Sequence, residues 1–304
     1  MENRDAELVE KIISLKKIKN AVILAHNYQL GEIQYIADLV GDSLELSQKA
    51  AKTEANVIVF CGVQFMAETA SILCPDKIVL LPDKHAGCPM ADMITAKRLR
   101  EKKKEHPRAT VVCYINSSAE VKAESDVCCT SANAVRIVEK LPGSSEILFI
   151  PDQYLGNYVS TKTGRKMILW PGFCPAHARI QVQDVSRRKV EYPQAKVVVH
   201  PECRPEVIAL ADEVLSTGGI CSFARETEAK EIIVGTEIGM LHRLRKENPE
   251  KRFIPVSEQA ICPTMKLITL ETVLRSMENM THQIKVPERT RLRAKAAVDK
   301  MLEG

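Results

Sequence analysis

Three stretches of this chain repeat one another at a fixed spacing, and that spacing decides how many folding units it builds. Setting ILAHNY over VVCYIN over VVVHPE aligns His26, Tyr114 and His200, which lie 88 and 86 residues apart. With that alignment fixed, Ser43, Ser131 and Thr217 each follow 17 residues later, after the acidic and apolar stretches IADLVGDS, AESDVCCTS and LADEVLST. Cys88, Cys174 and Cys262 follow the same anchors by 62, 60 and 62 residues, and each precedes a proline. A fourth pair, Cys74-Pro75, falls outside the register, so Cys-Pro alone carries no weight. Three landmarks held in one register mark a supersecondary unit used in tandem.

The content of the repeat sets the fold class. Nine β-type runs occur, at 22–27, 57–62, 77–83, 110–116, 146–152, 166–172, 196–202, 231–237 and 252–258. Most are continuously apolar, which suits strands covered on both faces. Helical patterns at 43–54, 131–141 and 236–247 alternate with them, so the class is α/β with parallel sheets. The prior of one domain per roughly 150 residues would give two domains for 304 residues. The register instead predicts three α/β/α sandwich units, pseudo-threefold related around a central site, at 1–87, 88–173 and 174–262. Residues 263–304 read as helical and are expected to pack back on the first unit.

Composition excludes several partners. The net charge of +4, from 43 basic and 39 acidic residues, is too small to hold nucleic acid or an anionic membrane by charge alone. The run KRLREKKKEHPR has no interleaved aromatics and reads as a solvated helix face. No apolar run approaches the roughly 18–20 residues of a membrane span. The N-terminal MENRDAELVEKI has no apolar core, so no signal peptide is expected and a cytoplasmic address follows. Ten cysteines in a reducing compartment then argue for metal, redox or packing roles and against a disulfide scaffold. No GxGxxG or GxxxxGK[ST] loop is present to suggest a dinucleotide or P-loop site.

The repeated positions assemble a chemistry. Ligands of open α/β sheets lie beyond the carboxyl ends of strands. There this chain carries His26 and Tyr28, Tyr114 and Asn116, His200 and Glu202, a set able to supply general acids, bases and oxyanion donors. Ser43, Ser131 and Thr217 are expected to open helices, cap them and form three anion pockets, which points to a substrate with several carboxylates or phosphates. Cys88, Cys174 and Cys262 are expected near helix N-termini, where the thiol pKa falls and a metal-binding thiolate is favoured. Three thiolates leave a coordination position open, which suits a 4Fe-4S cluster or a catalytic zinc; spacing alone does not choose between them. Cys61, Cys74, Cys113, Cys128, Cys129 and Cys221 are expected to be buried small hydrophobes.

These residues resemble quinolinate synthase, the iron–sulfur enzyme family of de novo NAD biosynthesis. The resemblance runs through ILAHNYQ (23–29), VGDSLELS (40–47), FMAE (65–68), CPMA (88–91), YINSSAEVKAESDVCCTSANAV (114–135), CPAH (174–177), VVHPEC (198–203), STGG (216–219), GTEIGMLHRL (235–244) and the Cys262 segment. It implies three α/β/α domains about a pseudo-threefold axis and a reaction condensing iminosuccinate with dihydroxyacetone phosphate to quinolinate, phosphate and two waters. It implies Cys88, Cys174 and Cys262 as ligands of a 4Fe-4S cluster with an open iron. It implies His26, Ser43, Tyr114, Asn116, Ser131, His200, Glu202 and Thr217 as substrate-binding, with Tyr28 beside them. Joining both lines, Glu202 and His200 are expected to abstract protons from carbon, with Tyr28, Tyr114 and His26 relaying them. An aspartate oxidase or dehydrogenase is the expected source of iminosuccinate. Some family members carry further closely spaced cysteines after the third ligand; here Cys262 is followed by PTMKLI and no other Cys, so a thiol switch is not expected there. A zinc hydro-lyase of the same architecture and a non-catalytic sensor of acidic metabolites are the alternatives.

Overall fold

The structure, a computed structural model, describes residues 3–303. Its first unit runs α1 (Asn3–Ile18), β1 (Ala21–His26), α2 (Gly31–Ile36), β2 (Leu39–Gly41), α3 (Ser43–Lys52), β3 (Val57–Cys61), α4 (Gln64–Leu73) and β4 (Ile78–Leu80). The second runs α5 (Ala96–Glu105), β5 (Thr110–Tyr114), α6 (Ala119–Lys122), β6 (Val127–Cys129), α7 (Ala134–Glu139), β7 (Ile147–Ile150), α8 (Gln153–Thr163) and β8 (Ile168–Leu169). The third runs α9 (Pro175–Ala178), α10 (Val182–Glu191), β9 (Lys196–Val199), α11 (Pro205–Ile208), β10 (Glu213–Val214), α12 (Thr217–Glu226), β11 (Glu231–Gly235), α13 (Met240–Glu247) and β12 (Arg252–Pro255). Two helices close the chain, α14 (Leu270–Asn279) and α15 (Glu288–Glu303).

Each unit forms a four-stranded parallel sheet, and the strand orders β2-β1-β3-β4, β6-β5-β7-β8 and β10-β9-β11-β12 are one order used three times. The class is thus α/β with three related parallel-sheet units. In each unit the chain leaves its first strand to one side and returns on the other. That makes the carboxyl end of β1, β5 and β9 the place where a crevice opens for ligands.

The sequence runs find nine of the twelve strands and miss β2, β6 and β10. These are edge strands of two or three residues, too short to show a period. An aspartate just before each one locks it in place. Asp38, Asp126 and Asp212 accept the N–H of Ile23, Val111 and Val197 at 2.8, 2.7 and 2.7 Å, and return their own N–H to the same residue's carbonyl. The three aspartates stand 88 and 86 residues apart, a further landmark in the register.

The inner strands β1, β3, β5, β7, β9 and β11 are buried on both faces along nearly their whole length, as their apolar runs require. One apolar core runs through the first two sheets and their helices and takes in one face of the third sheet through Val198, Ile232 and Val234, and a smaller one, including Val197, Val199, Ile233 and Ile254, lies on that sheet's other face. α14 packs on α1 and β3, whereas α15 lies across β6 and α6 of the second unit and reaches α4 of the first. No described helix is long and apolar enough to cross a membrane.

Candidate active site

One cavity is lined by all twelve repeated residues: His26, Tyr28, Ser43, Cys88, Tyr114, Asn116, Ser131, Cys174, His200, Glu202, Thr217 and Cys262. Asp42, Val63, Phe65, Met66, Met90, Thr130, Ala176, His177 and Met265 complete the wall, so no Lys or Arg lines it among the described residues. Three strand ends supply one pair each, and the second pair member always sits two residues past the first.

That two-residue step fixes ring orientation. The N–H of Tyr28 donates to His26 Nδ1 at 3.2 Å, and the N–H of Glu202 donates to His200 Nδ1 at 3.3 Å. An accepting Nδ1 places the proton of a neutral ring on Nε2. Burial pushes both His26 and His200 down to about 3, so each is neutral near pH 7. Both rings therefore face the cavity as Nε2–H donors, and His200 Nε2 lies 3.2 Å from Ser131 Oγ. The expectation of His200 as a proton-abstracting base thus meets a ring held in the donor tautomer.

Glu202 gathers the cavity's polar groups around a buried carboxylate. Oε2 lies 2.8 Å from His177 Nδ1, and Asn116 Nδ2 donates to Oε1 at 3.4 Å. Burial pushes the carboxyl up, but the adjacent His177 and His200 and hydrogen bonds from His177 and Tyr114 outweigh it and hold the group at about 2. Tyr28 and Tyr114 stay protonated, since burial first and the Glu202 charge second drive both phenols well above 10. Asn116 Oδ1 is buried and accepts no hydrogen bond from the described residues, which leaves an acceptor for a ligand N–H or O–H.

The helix starts depart from expectation by one or more residues. Asp42, not Ser43, caps α3, accepting the N–H of Leu44 and Glu45 in a capping box. Ser216, not Thr217, caps α12, and its Oγ accepts the Gly219 N–H at 3.1 Å. Ser131 lies in a turn, and α7 starts at Ala134. The N–H groups of Leu44 and Glu45 in α3 and of Gly219 in α12 are thus taken by the preceding residues, and Ser43, Ser131 and Thr217 line the cavity without capping these helices. The Thr217 hydroxyl is positioned by Asn27 Nδ2 at 2.9 Å, and Asn27 Oδ1 in turn accepts from Arg243 at 2.8 Å.

Each of the three register cysteines follows the fourth strand of a sheet. Cys174 is the N-cap of α9, with Pro175 in the first helical position. Cys88 and Cys262 instead precede single 3₁₀ turns at Ala91–Met93 and Met265–Leu267, and the long helices begin only at Ala96 and Leu270. For Cys88 and Cys174 the expected helix-dipole lowering of the thiol pKa does not appear. Burial pushes the Cys88 thiol up to about 12 and drives Cys174 well above 9. Yet these three are the partly exposed cysteines of the chain; Cys61, Cys74, Cys113, Cys128, Cys129, Cys203 and Cys221 are buried.

The family model described as quinolinate synthetase A protein matches residues 10–303. The chain belongs to the quinolinate synthase family. The quinolinate synthase of Dehalococcoides mccartyi strain CBDB1 is 64% identical over 292 residues, 96% of each chain. That of Methanosarcina barkeri strain Fusaro is 54% identical over 299 residues, 98% of each, and quinolinate synthase 2 of Methanosarcina acetivorans is 51% identical over 298 residues. Among solved structures, the E-1-hydroxy-2-methyl-but-2-enyl-4-diphosphate reductase of Plasmodium falciparum overlaps 90% of this chain and 83% of its own at a TM-score of 0.31 and 10% identity, too weak to bear on function.

The fold adds residues that the repeat did not flag. His177 is fully buried in this quinolinate synthase family site, stacked on His200 at a centroid distance of 4.8 Å. Its Nε2 lies 2.9 Å from Thr236 Oγ1, which also bonds the Tyr28 hydroxyl at 2.7 Å. Its signal in the sequence is the CPAH motif, three residues past a register cysteine.

Proposed function

We propose that this chain condenses iminosuccinate with dihydroxyacetone phosphate to quinolinate, with release of one phosphate and two waters, and so feeds NAD biosynthesis. The observation that carries this is the sorting of the cysteines: of ten, the three in register keep access to a single cavity, and that cavity also holds every repeated polar residue. Three thiols with no fourth cysteine on the wall fit a 4Fe-4S cluster with one iron not held by sulfur from the protein, and do not fit a closed four-thiol zinc site. Cys88, Cys174 and Cys262 would hold that cluster, which when bound supplies Lewis acidity at the open iron.

The chain's own groups divide the remaining work. Glu202 is the ionised acceptor placed to take protons from substrate carbon. Two carboxylates and a phosphate brought into the same cavity add negative charge and raise its proton affinity toward a useful range. His26 and His200 act as neutral Nε2–H donors to substrate oxygens, and Tyr28 and Tyr114 as phenolic donors. Asn116 accepts from the substrate through Oδ1, while Ser43, Ser131 and Thr217 donate hydroxyls to its anionic groups. An aspartate oxidase or dehydrogenase would supply iminosuccinate.

The test is anaerobic purification of the full chain, cluster reconstitution, and an assay with both substrates. Quinolinate, phosphate, about four irons and about four sulfides per chain are expected. Zinc without visible absorption would indicate a hydro-lyase, and dicarboxylate binding without quinolinate would indicate a sensor.

A further inference from the structure

His177 is a buried titratable group on the cavity wall that the proposed reaction leaves without a task. It stands three residues after Cys174 on the first turn of α9, where an i, i+3 spacing puts a sulfur and a ring nitrogen on one side of the turn. Its Nδ1 lies 3.2 Å from Cys174 Sγ and 2.8 Å from Glu202 Oε2, and the three donor atoms all lie within 4.8 Å of one another. A single ring nitrogen carries at most one proton, which cannot serve both the sulfur and the carboxylate fully. A cation in that proton's place would serve all three.

Thiolate, imidazole and carboxylate are the donors zinc prefers, and three protein ligands with one open position are a familiar zinc set. The opposite ring nitrogen is already anchored: Nε2 lies 2.9 Å from Thr236 Oγ1, the kind of outer hydrogen bond that orients a metal-bound imidazole. Glu202 and His177 have side chains 4% and 0% exposed, so the ion would be shielded from competing water.

We propose that the cluster-free chain binds one zinc-class divalent cation at Cys174, His177 and Glu202, and that this ion blocks cluster assembly because both require the Cys174 sulfur. The exclusion rests on the cluster assignment above; the cation site stands on its three donors alone.

The full-length chain, stripped of iron by chelation under anaerobic conditions, is titrated with Co²⁺ and then Zn²⁺. One ion per chain is expected, with a sulfur-to-cobalt charge-transfer band that Zn²⁺ displaces. The same band is expected in Cys88→Ser/Cys262→Ser, and its loss in His177→Gln and in Glu202→Gln. Thr236→Val is expected to weaken binding by about 10–100-fold. Circular dichroism establishes which variants fold, and Glu202→Gln carries the test if His177→Gln does not. Binding that survives both substitutions, or that vanishes in Cys88→Ser/Cys262→Ser, overturns the site. Wild-type chain preloaded with one equivalent of Zn²⁺ is expected to take up less than half the normal iron and sulfide, and unimpaired uptake overturns the exclusion. Failure of the proposed reaction is read separately, on zinc-free, cluster-loaded enzyme.

Discussion

Replacing Lys266 by Met tests whether one buried ion pair holds both the Cys262 loop and the Tyr28 turn. Glu237 follows β11 with a fully buried side chain, and its Oε1 lies 2.9 Å from Lys266 Nζ. The same carboxylate accepts the N–H of Cys262 at 3.1 Å and of Gly239 at 2.7 Å, while Lys266 Nζ also donates to the Tyr28 carbonyl. Gly239 closes the cradle, since a Cβ there would stand 2.6 Å from Tyr28 O, 2.7 Å from Lys266 Nζ and 2.8 Å from Glu237 Oε2. Met keeps the length of the Lys266 stem and removes its charge, which strands the Glu237 carboxylate away from water. Breaking a buried pair in this way costs about 3–5 kcal/mol. With an unfolding entropy of about 2.1 cal/mol/K per residue, a cooperative unit of 304 residues loses about 5–8 °C of Tm. Calorimetry of wild type, Lys266→Met, Glu237→Gln and the double variant measures this. The double variant is expected to lose less than the sum of the singles, by about 0.5–3 kcal/mol, because no charge is left stranded. A Lys266→Met protein within about 0.5 kcal/mol of wild type, or strictly additive singles, would refute the reasoning.

Substituting Cys88, Cys174 or Cys262 by Ser is expected to abolish iron and sulfide binding in each case, whereas Cys61→Ser and Cys221→Ser retain both; metal analysis after anaerobic reconstitution decides. Acid should destabilise the cluster-free chain through His26 and His200, which are pushed down to about 3 by burial but titrate near 6.5 when unfolded. Their stabilisation is therefore complete above pH 6.5 and is lost as pH falls toward 3, by about 2 kcal/mol each at pH 5, measurable by urea titration at pH 7.5 and 5. Glu202, held at about 2, is ionised in both states above about pH 5 and does not mask that loss. Gly172→Ala is expected to cost about 1–3 kcal/mol and to loosen Cys174 two residues on, because the added Cβ would lie 2.4 Å from the Pro151 carbonyl oxygen. Chemical denaturation and the rate of iron loss to a chelator check both effects.

Much of the scaffold is legible because buried parallel strands write themselves as unbroken apolar runs, and VIVFC or the VVV of β9 cannot face water on either side. The edge strands at LVG, VCC and EV carry no such signal. Their anchor is a carboxylate on a neighbouring strand's N–H, a tertiary bond with no local pattern, although the spacing of Asp38, Asp126 and Asp212 was there to be found. The one-residue error at the caps has a chemical cause. Asp42-Ser43 and Ser216-Thr217 each offer two good capping residues in succession, and only the backbone decides which side chain turns to the helix and which to the cavity.

His177, Glu237 and Lys266 escaped for a deeper reason, which bears on how the site works. Aligning repeats finds what the units share, and the positions matching His177 in the other two units are Ala91 and Met265. Three identical strand ends around one cavity would present three like groups, and like groups cannot divide acid from base. Function requires the symmetry to fail at chosen places. The pairs His26 with Tyr28, Tyr114 with Asn116 and His200 with Glu202 already differ, and only the third brings a carboxylate. Asn116 and Tyr114 of the second unit donate hydrogen bonds to it, and His177 and His200 of its own unit stand against it. The shared register builds the cavity, and the unshared residues around Glu202 give it unlike groups. A His177→Ala chain that restores the residue of the first unit should therefore keep its fold and lose the polarity around Glu202. That change would show as a rise in the acidic limb of the pH–rate profile, since a carboxylate without its imidazole partner titrates closer to its ordinary value.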